Sequence, residues 1–410
     1  MTYTIERLGH LGHGIAAGPA GPIYVAGVLP KEMVAGDAVG DRLQNVRIVT
    51  PSPDRVKPPC IHARTCGGCQ LQHASDGFVA GWKRDVVRAA LAAQGLSPDV
   101  VREETVTSPV RSRRRATLAA RKTKGGALVG FHARGSDVIT PIPSCTLLHP
   151  ELMVLLPAVE ALAQAGGSRT QELAVTLTRS LTGPDVRVEG GKPLDAPLRM
   201  DLARLAERFS LARLTWGDET VALRALPEVA FGLARVQLPP AAFLQATEAG
   251  EAALLAGVKE ALGPQKRIAD LFAGLGTFGL PLAVVAEVQA YEGEATLVAA
   301  MDKAARGAQG IKRLTVERRD LFRRPLEADE LRGLTGVVID PPRAGAEAQA
   351  ERLAVSSVPA VAMVSCNPAS FARDARILCA GGYVLEWVQV VDQFRWSHHV
   401  ELVARFARAG

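Results

Sequence analysis

The 410-residue chain is long enough for two or three domains that each bury a core of their own. Hydrophobic residues make up 48% of it and charged residues 22%, which is typical of a globular protein, and six cysteines in this length exclude a disulfide scaffold. The net charge of +6 favours a polyanionic partner, whereas 5% aromatic residues are too few to stack many bases along an extended strand.

Neither export nor membrane insertion is predicted. The first residues do not combine a basic stretch with an apolar one, and no apolar run approaches the roughly 18 residues of a membrane span. We therefore expect a cytoplasmic monomer that binds no membrane.

The chain divides into three predicted domains of different pattern. Residues 1–55 carry short apolar runs between turn signals and predict a small β-barrel. Residues 56–235 begin with a proline-containing linker and predict an α+β domain, with a helix at 79–95 and strands near 115–131.

Residues 236–410 alternate regularly between strands and helices. This rhythm predicts an α/β, Rossmann-like, doubly wound domain. The predicted helices span 247–262, 277–286, 294–306, 346–355 and 369–379, and the strands span 267–272, 288–292, 336–339, 360–365 and 383–391.

A set of four cysteines in the central domain predicts a metal site. Three of them are clustered and the fourth lies far downstream: Cys60, Cys66, Cys69 and Cys145. Thiolates grouped in this way in a cytosolic chain are typical of metal ligands. The spacing leaves an iron–sulfur cubane and a structural zinc open, and four separately packed thiols are the third alternative.

A basic run follows within the same domain, at 111–115 and 121–124. Its arginines and lysines predict either phosphate contacts or a solvated surface.

A glycine-rich loop follows the first strand of the alternating region. Gly274 and Gly276 allow a ligand to approach the backbone closely, and the next helix offers free N–H groups. Glu292, at the end of the next strand, is placed to bind ribose hydroxyls. The pattern also fits a nicotinamide or flavin dinucleotide, and a turn without a ligand. Asp270 favours S-adenosylmethionine, because that molecule carries an ammonium group and no pyrophosphate.

Two further strand ends carry reactive groups. The strand at 336–339 is followed by Asp340-Pro341-Pro342-Arg343, and the strand at 360–365 ends in Ser365-Cys366-Asn367-Pro368. A thiol at a strand end is badly placed for core packing and well placed to attack a substrate. The alternative is a small buried hydrophobic side chain.

The thiol, the carboxylate and the cofactor loop together predict covalent methyl transfer to a base of a nucleic acid. C5 of uracil is a poor nucleophile, and a thiolate that adds to C6 gives C5 carbanion character. A general base must then remove the C5 proton so that the thiol can leave. Glu401 is the candidate base, with His398 and His399 as alternatives. We expect Asp340 to orient the target base or the cofactor.

These residues together resemble the RNA uracil-5-methyltransferase family over almost the whole chain. Residues 1–55 are similar to the family's RNA-binding TRAM barrel. The segments around the thiol and the base resemble the family's nucleophile and base motifs, Ser365-Cys366-Asn367-Pro368 and His399-Val400-Glu401.

The resemblance implies cofactors, ligands and a substrate. A [4Fe-4S] cluster is implied at Cys60, Cys66, Cys69 and Cys145. Contacts to S-adenosylmethionine are implied for residues spread over the C-terminal domain: Gln245, Phe272, Gly274, Glu292, Asp320 and Asp340. The implied substrate is RNA, with ribosomal RNA ahead of transfer RNA, and its target base is flipped out of the stack.

Two functions of other classes stay open from the sequence. The first is a catalytically silent RNA-binding factor, against which the intact Cys366 and glycine loop argue. The second is a dinucleotide oxidoreductase, which would bind NAD in place of S-adenosylhomocysteine.

Overall fold

The N-terminal fifty residues form a closed barrel in the computed structural model, which describes residues 1–408. The strands are β1 (Thr2–Leu8), β2 (Gly14–Gly18), β3 (Gly21–Val25), β4 (Met33–Val39) and β5 (Arg42–Thr50). They pair in the order β1-β2-β3-β5-β4. Alternate apolar residues fill the interior, among them Tyr3, Ile5, Ile23 and Val25. The predicted β-barrel is confirmed.

The middle of the chain contributes a helix and a strand first, and then a separate sheet. The helix α1 (Asp76–Ala93) is followed by β6 (Val101–Thr107). The separate sheet and its helices comprise β7 (Arg115–Lys122), β8 (Ala127–His132), β9 (Ile139–Pro141), α2 (Pro150–Met153), α3 (Leu156–Gly166), β10 (Leu173–Thr178), β11 (Asp185–Glu189), α4 (Ala196–Arg208), β12 (Arg213–Trp216) and β13 (Glu219–Leu223). Its strand order is β13-β12-β11-β10-β7-β8-β9, and α3 packs against β7, β8 and α4.

The C-terminal part begins with a hairpin and continues as alternating helices and strands. The hairpin is β14 (Glu228–Phe231) and β15 (Ala234–Gln237). The remaining elements are α5 (Glu248–Leu262), β16 (Arg267–Leu271), α6 (Gly279–Leu282), β17 (Glu287–Glu292), α7 (Ala295–Gly307), β18 (Leu314–Arg318), β19 (Gly336–Ile339), α8 (Glu347–Ala354), β20 (Ala360–Ser365), α9 (Pro368–Ala380), β21 (Tyr383–Asp392) and β22 (Glu401–Arg408).

These strands join β6 in a sheet of order β18-β17-β16-β19-β20-β22-β21-β6. The five strands from β18 to β20 are parallel, β22 is antiparallel to both its neighbours, and β6 pairs with β21 in parallel. Strand order reverses at β16, since β17 and β18 lie on one side of it and β19 and β20 on the other. A crevice is expected at such a switch point, outside the carboxyl ends of the strands.

Helices cover both faces of this sheet. Val337 and Ile339 of β19 pack with α1, α8 and α9, whereas Val338 between them packs with α5 and α6. Side chains alternate along a strand, so a strand buried on both faces is apolar at every position. The predicted doubly wound architecture is confirmed. Within residues 1–408, no helix is both long and apolar enough to cross a membrane.

Several predicted elements differ from the structure. The helix predicted at 277–286 is reduced to α6, because the chain turns after Leu282 to enter β17. The strands β18 and β22 were not predicted. Part of the segment predicted as a central domain, α1 and β6, packs with the C-terminal sheet.

A buried ion pair fixes α1 to that sheet. The Lys83 Nζ atom of α1 donates to Asp392 Oδ1 of β21 at 2.6 Å and to the backbone oxygen of Phe394 at 3.2 Å. Both charged side chains are almost completely buried, with 0% and 2% of their surfaces exposed. Removal of either partner would leave the other charge buried without compensation.

Candidate active site

A cavity of about 540 Å³ opens at the switch point of the large sheet. It is called the catalytic cavity below. Eight of the residues that the sequence predicts for catalysis or cofactor binding line it: Gln245, Phe272, Gly274, Glu292, Asp320, Asp340, Cys366 and Glu401. The structure thus brings together side chains that are more than 150 positions apart in the sequence.

The loop after β16 has the backbone conformation that its glycines allow. Gly274 and Gly276 have φ values of 56° and 88°, and Phe272 also has a positive φ of 59°. A positive φ is unfavourable for an aromatic residue, and such strain is typical of functional loops. The N–H of Gly274 donates to Glu292 Oε2 at 2.9 Å, so the loop holds this carboxylate at the cavity wall.

Asp270 supports the loop from behind. Its side chain is fully buried, and its Oδ2 accepts the N–H of Gly279 at 2.7 Å. Burial raises the pKa of this carboxyl to about 8. Asp270 is not among the residues that line the catalytic cavity, whereas Glu292 and Asp340 are. Asp270, which favoured S-adenosylmethionine in the sequence, therefore supports the loop from behind and does not line the cavity itself.

An aromatic pair forms one wall of the cavity. The rings of Phe272 and Phe322 are 5.2 Å apart between their centroids, at an angle of 55°. Asp320 lies beside them, and its Oδ1 accepts the N–H of Phe322 at 3.0 Å. Aromatic faces next to a carboxylate suit a purine base whose amino group needs an acceptor.

The candidate nucleophile and base lie opposite each other on neighbouring strands. Ser365 of β20 pairs with Leu402 of β22 in an antiparallel register. One step further along this register places Cys366 opposite Glu401. Side chains directly opposite in antiparallel strands have Cβ atoms about 5 Å apart.

Burial favours the uncharged forms of the groups that line this part of the cavity, and neighbouring charges add to the effect at Cys366 and Glu401. Burial, and then the charges of Glu401 and Asp340, raise the pKa of the Cys366 thiol to about 11. Burial and the charge of Asp340 raise the pKa of Glu401 to about 8. Burial also raises the pKa of Asp340 to about 7. Arg343 acts in the opposite direction and lowers the pKa of both Cys366 and Glu401.

The loops that carry Asp340 and Cys366 are joined by hydrogen bonds. Asn367 caps the N-terminus of α9, since its Oδ1 accepts the N–H of Ala369, while its Nδ2 donates to the backbone oxygen of Arg343 at 2.9 Å. Asparagine at the cap followed by proline at the first helical position is a strong helix start. This start fixes Cys366 at the end of β20, one residue before the cap.

Gln393 is a site residue that no sequence pattern predicts. Its Nε2 donates to Gln245 Oε1 at 2.5 Å, and its Oε1 accepts the N–H of Ala246 at 2.8 Å. A hydrogen bond with the same side chain lowers the pKa of Glu401. One buried amide therefore contacts a predicted cofactor residue and the predicted base. A lone glutamine carries no sequence signal for this role.

The loop 393–400, between β21 and β22, is anchored to the cysteine segment. The N–H groups of Gln70 and Leu71 both donate to the backbone oxygen of Trp396 at 2.9 Å. Trp396, which has a φ of 61°, packs with Cys69 and Leu147. The position of Glu401 at the end of this loop therefore depends on contacts from a distant part of the chain.

His398 and His399 occupy the same loop, with ring centroids 4.3 Å apart. His399 lines the catalytic cavity, and its Nδ1 is 2.8 Å from Arg343 Nη2. Burial, then the charges of His398 and Arg343, lower the pKa of His399 to about 4. Such a weakly basic imidazole is a poorer proton acceptor than Glu401.

The four cysteines form a buried or half-buried set of free thiols. Burial, together with the charges of the other three cysteines, raises the pKa of Cys69 to about 12, so the four side chains lie within electrostatic reach of one another. Backbone N–H groups donate to the sulfur atoms of Cys66 and Cys145, each at 3.4 Å. Across residues 1–408, no three His, Cys, Asp or Glu side chains have the close grouping of a metal site. The four-cysteine metal site therefore remains a prediction, although the donor set suits a thiophilic metal.

The basic run does not form the single exposed surface that the sequence allowed. Arg114 is buried, donates to the backbone oxygen of Gln245 at 3.0 Å and forms an ion pair with Glu251. The guanidinium of Arg113 lies 5.4 Å from the ring centroid of Phe394. These two side chains join the middle sheet to the active-site region, so neither belongs to a solvated face.

The fold and the cavity define the class of protein: a doubly wound methyltransferase with the reactive groups at the carboxyl edge of the sheet. The sequence model of the tRNA (uracil-5-)-methyltransferase family matches residues 236–405. A protein of Mesorhizobium japonicum named uncharacterized RNA methyltransferase mlr7480 is 44% identical over 98% of this chain and 97% of its own. The 23S rRNA (uracil(1939)-C(5))-methyltransferase RlmD of Shewanella frigidimarina is 31% identical over 99% of this chain and 95% of its own.

The chain belongs to the RNA uracil-5-methyltransferase family, and it is an S-adenosylmethionine-dependent RNA methyltransferase. A solved structure shares the fold over the whole length. It is the Pyrococcus abyssi tRNA (uracil-54, C5)-methyltransferase in complex with S-adenosyl-L-homocysteine, with a TM-score of 0.78, 23% identity and 99% of both chains covered.

Proposed function

We propose that the protein forms 5-methyluridine in ribosomal RNA through a covalent adduct with Cys366. The observation that supports the proposal is that Cys366 and Glu401 line the same cavity as the predicted cofactor residues, and that the charge of Glu401 reaches the Cys366 thiol. The Pyrococcus abyssi transfer RNA enzyme is similar to this chain in its fold, at 23% sequence identity. The ribosomal RNA enzyme RlmD is 31% identical in sequence over 99% of the chain. We therefore propose ribosomal RNA, and not transfer RNA, as the substrate.

The reaction begins with addition of the Cys366 thiolate to C6 of the uracil. C5 of the resulting enolate would take the methyl group from the sulfonium of S-adenosylmethionine, with the bond between sulfur and methyl carbon breaking as the bond to C5 forms. Glu401 removes the C5 proton, the C5–C6 double bond re-forms and the thiolate departs. The positive charge of Arg343 partly offsets the raised pKa values of both groups and so favours their reactive ionised forms.

S-adenosylmethionine is proposed to bind along the loop after β16. Glu292 would accept hydrogen bonds from the ribose hydroxyls, and Phe272 with Asp320 would bind the adenine. Asp340 acts electrostatically on Cys366 and Glu401, and Gln245 shares the hydrogen-bond partner Gln393 with Glu401. These two residues would therefore contact the part of the molecule that carries the methyl group.

The N-terminal barrel is proposed to be a TRAM-type RNA-binding domain, and the four cysteines are proposed to hold a [4Fe-4S] cluster. The cluster would fix the cysteine segment that donates two hydrogen bonds to Trp396. Visible absorbance of anaerobically purified protein, with iron, sulfide and zinc analysis, tests it. Iron and sulfide in equal amounts are expected, and stoichiometric zinc without iron would contradict the cluster.

Mass spectrometry of RNA from a gene-deletion strain tests the function. We expect 5-methyluridine to disappear from one position of ribosomal RNA and to return with a plasmid copy of the wild-type gene, but not with a Cys366→Ala copy. Loss from transfer RNA would contradict the ribosomal substrate. No loss from either RNA would contradict the proposed function.

A further inference from the structure

A second cavity, of about 440 Å³, adjoins the catalytic cavity at the thiol. Arg343, Cys366 and His399 line both cavities. The other walls of the second cavity come from α1, from the turn between β1 and β2, and from the start of α9. None of these walls has a part in the proposed reaction.

The target uracil belongs in the catalytic cavity and not in the second one. Glu401 and Asp340 line the catalytic cavity, and neither lines the second. The ring that Cys366 attacks must also be within reach of the base and of the methyl donor. The second cavity is therefore left free while the target ring reacts, and whatever fills it lies next to that ring.

The walls of the second cavity have the chemistry of a nucleobase site. Its apolar surface comes from Leu11, Val86 and Ala90. His398 and His399 add two neighbouring rings, and lowered pKa values keep both imidazoles neutral at neutral pH. Unstacked bases bind to imidazole rings, guanidinium planes and apolar surfaces of this kind, and a volume of 440 Å³ is in the range of ligand pockets.

The second cavity continues into a basic groove between the barrel and the middle sheet. This groove, of about 580 Å³, shares Leu11 and His398 with the second cavity. Arg42 and Arg134 line it, together with the aromatic ring of Phe131. Positive charge along an apolar and aromatic path is complementary to single-stranded RNA.

We propose that the second cavity binds the base of an unpaired nucleotide next to the target uridine on the same RNA strand. This inference rests on the proposed function, since it assumes that the catalytic cavity holds a uracil. The RNA would then enter as at least two successive unstacked nucleotides, one base on each side of Cys366, and its backbone would follow the basic groove towards the barrel.

The Ala89→Trp variant tests the proposal by filling the second cavity. Ala89 is an exposed residue of α1 that lines the cavity, so the larger side chain takes up cavity volume without disturbing the core. Ala92→Trp is the matched control, because Ala92 is exposed on the same helix and lines neither cavity. The probe is a short oligoribonucleotide that contains the mapped target uridine.

We expect Ala89→Trp to weaken binding of this RNA roughly ten- to hundredfold relative to the control, the range expected for the loss of one stacked base. Binding of S-adenosylhomocysteine should be unchanged. Equal RNA affinities of the two variants would overturn the proposal. RNA binding does not require methyl transfer, so the two proposals can fail separately. If the wild-type protein binds the RNA without methylating it, the proposed function is contradicted. The difference in RNA affinity between Ala89→Trp and Ala92→Trp would still support the base-binding site.

RNA with an abasic site at either neighbour of the target identifies the occupant. In the wild-type protein, one of the two abasic positions should weaken binding by a similar factor. The same abasic position should have little further effect in Ala89→Trp, because the tryptophan would already exclude the base from the second cavity. Additive losses at both abasic positions would show that the cavity holds something other than a neighbouring base.

Discussion

The Cys366→Ala variant is expected to form no detectable 5-methyluridine while it binds S-adenosylhomocysteine as tightly as the wild-type protein. Without the sulfur atom no bond to C6 can form, and C5 stays too weak a nucleophile to take the methyl group. The rate should fall by more than about a thousandfold, as is usual when a covalent nucleophile is removed. Transfer of radiolabelled methyl groups to RNA under single-turnover conditions measures the loss.

Cys379→Ala is the control for this variant. Cys379 is a free, half-buried thiol near the end of α9, and it lines neither the catalytic nor the second cavity. Its replacement should leave methyl transfer within a few-fold of the wild-type rate. Residual activity of Cys366→Ala at several per cent of wild type would argue against a covalent mechanism.

The Glu401→Gln variant is expected to accumulate a protein–RNA adduct that survives denaturing electrophoresis. Methyl transfer precedes proton removal, so an amide at this position allows the bond to C6 to form and blocks its release. The trapped RNA should already carry the methyl group. Gel shifts with labelled RNA and with labelled methyl donor detect the two components separately.

The raised pKa values of Glu401 and Cys366 predict that turnover increases with pH. Because the pKa of Glu401 is raised to about 8, only a minor part of this base is ionised at pH 7. The thiol also reacts as its anion, and its pKa is raised to about 11. Turnover of the wild-type protein should therefore increase from pH 6 to pH 8. Adduct release in Glu401→Gln should not increase in this range.

Glu386→Gln is the matched control, since Glu386 is a partly exposed carboxylate of β21 that pairs with Arg405 outside the cavity. It should release product as the wild-type protein does. An adduct that fails to appear in Glu401→Gln, with release at the normal rate, would assign the base to another residue. His399, a histidine that also lines the cavity, would then be tested by the same method.

The C-terminal fold could be predicted because its strands are buried on both faces. A strand such as β19 is apolar at every position, and helices of regular length separate it from the next one. The same reasoning placed Asp340 and Cys366 at the carboxyl edge. β22 was missed, since no helix precedes it. The pairing of Ser365 with Leu402, which brings the ends of β20 and β22 together beside Cys366 and Glu401, depends on this antiparallel strand and was therefore not visible in the sequence.

Contacts between distant segments lay beyond the reach of local patterns. Gln393 reaches Gln245 across 148 positions, and Lys83 reaches Asp392 across 309. The lysine among the apolar positions of the predicted helix at 79–95 does indicate a buried ion pair. Its side chain occupies a core position between Trp82 and Val87, and a lysine there requires a buried acid.

The parallel pairing of β6 with β21 has a practical consequence for dissecting the molecule. Residues 236–408 alone would lack β6 and α1, so the outer edge of β21 would have unpaired backbone groups and the buried Asp392 would lose its ion-pair partner Lys83. Bare sheet edges invite intermolecular strand addition. A recombinant fragment that starts at residue 236 would thus be prone to aggregate, and a fragment intended for biochemistry should begin before residue 76.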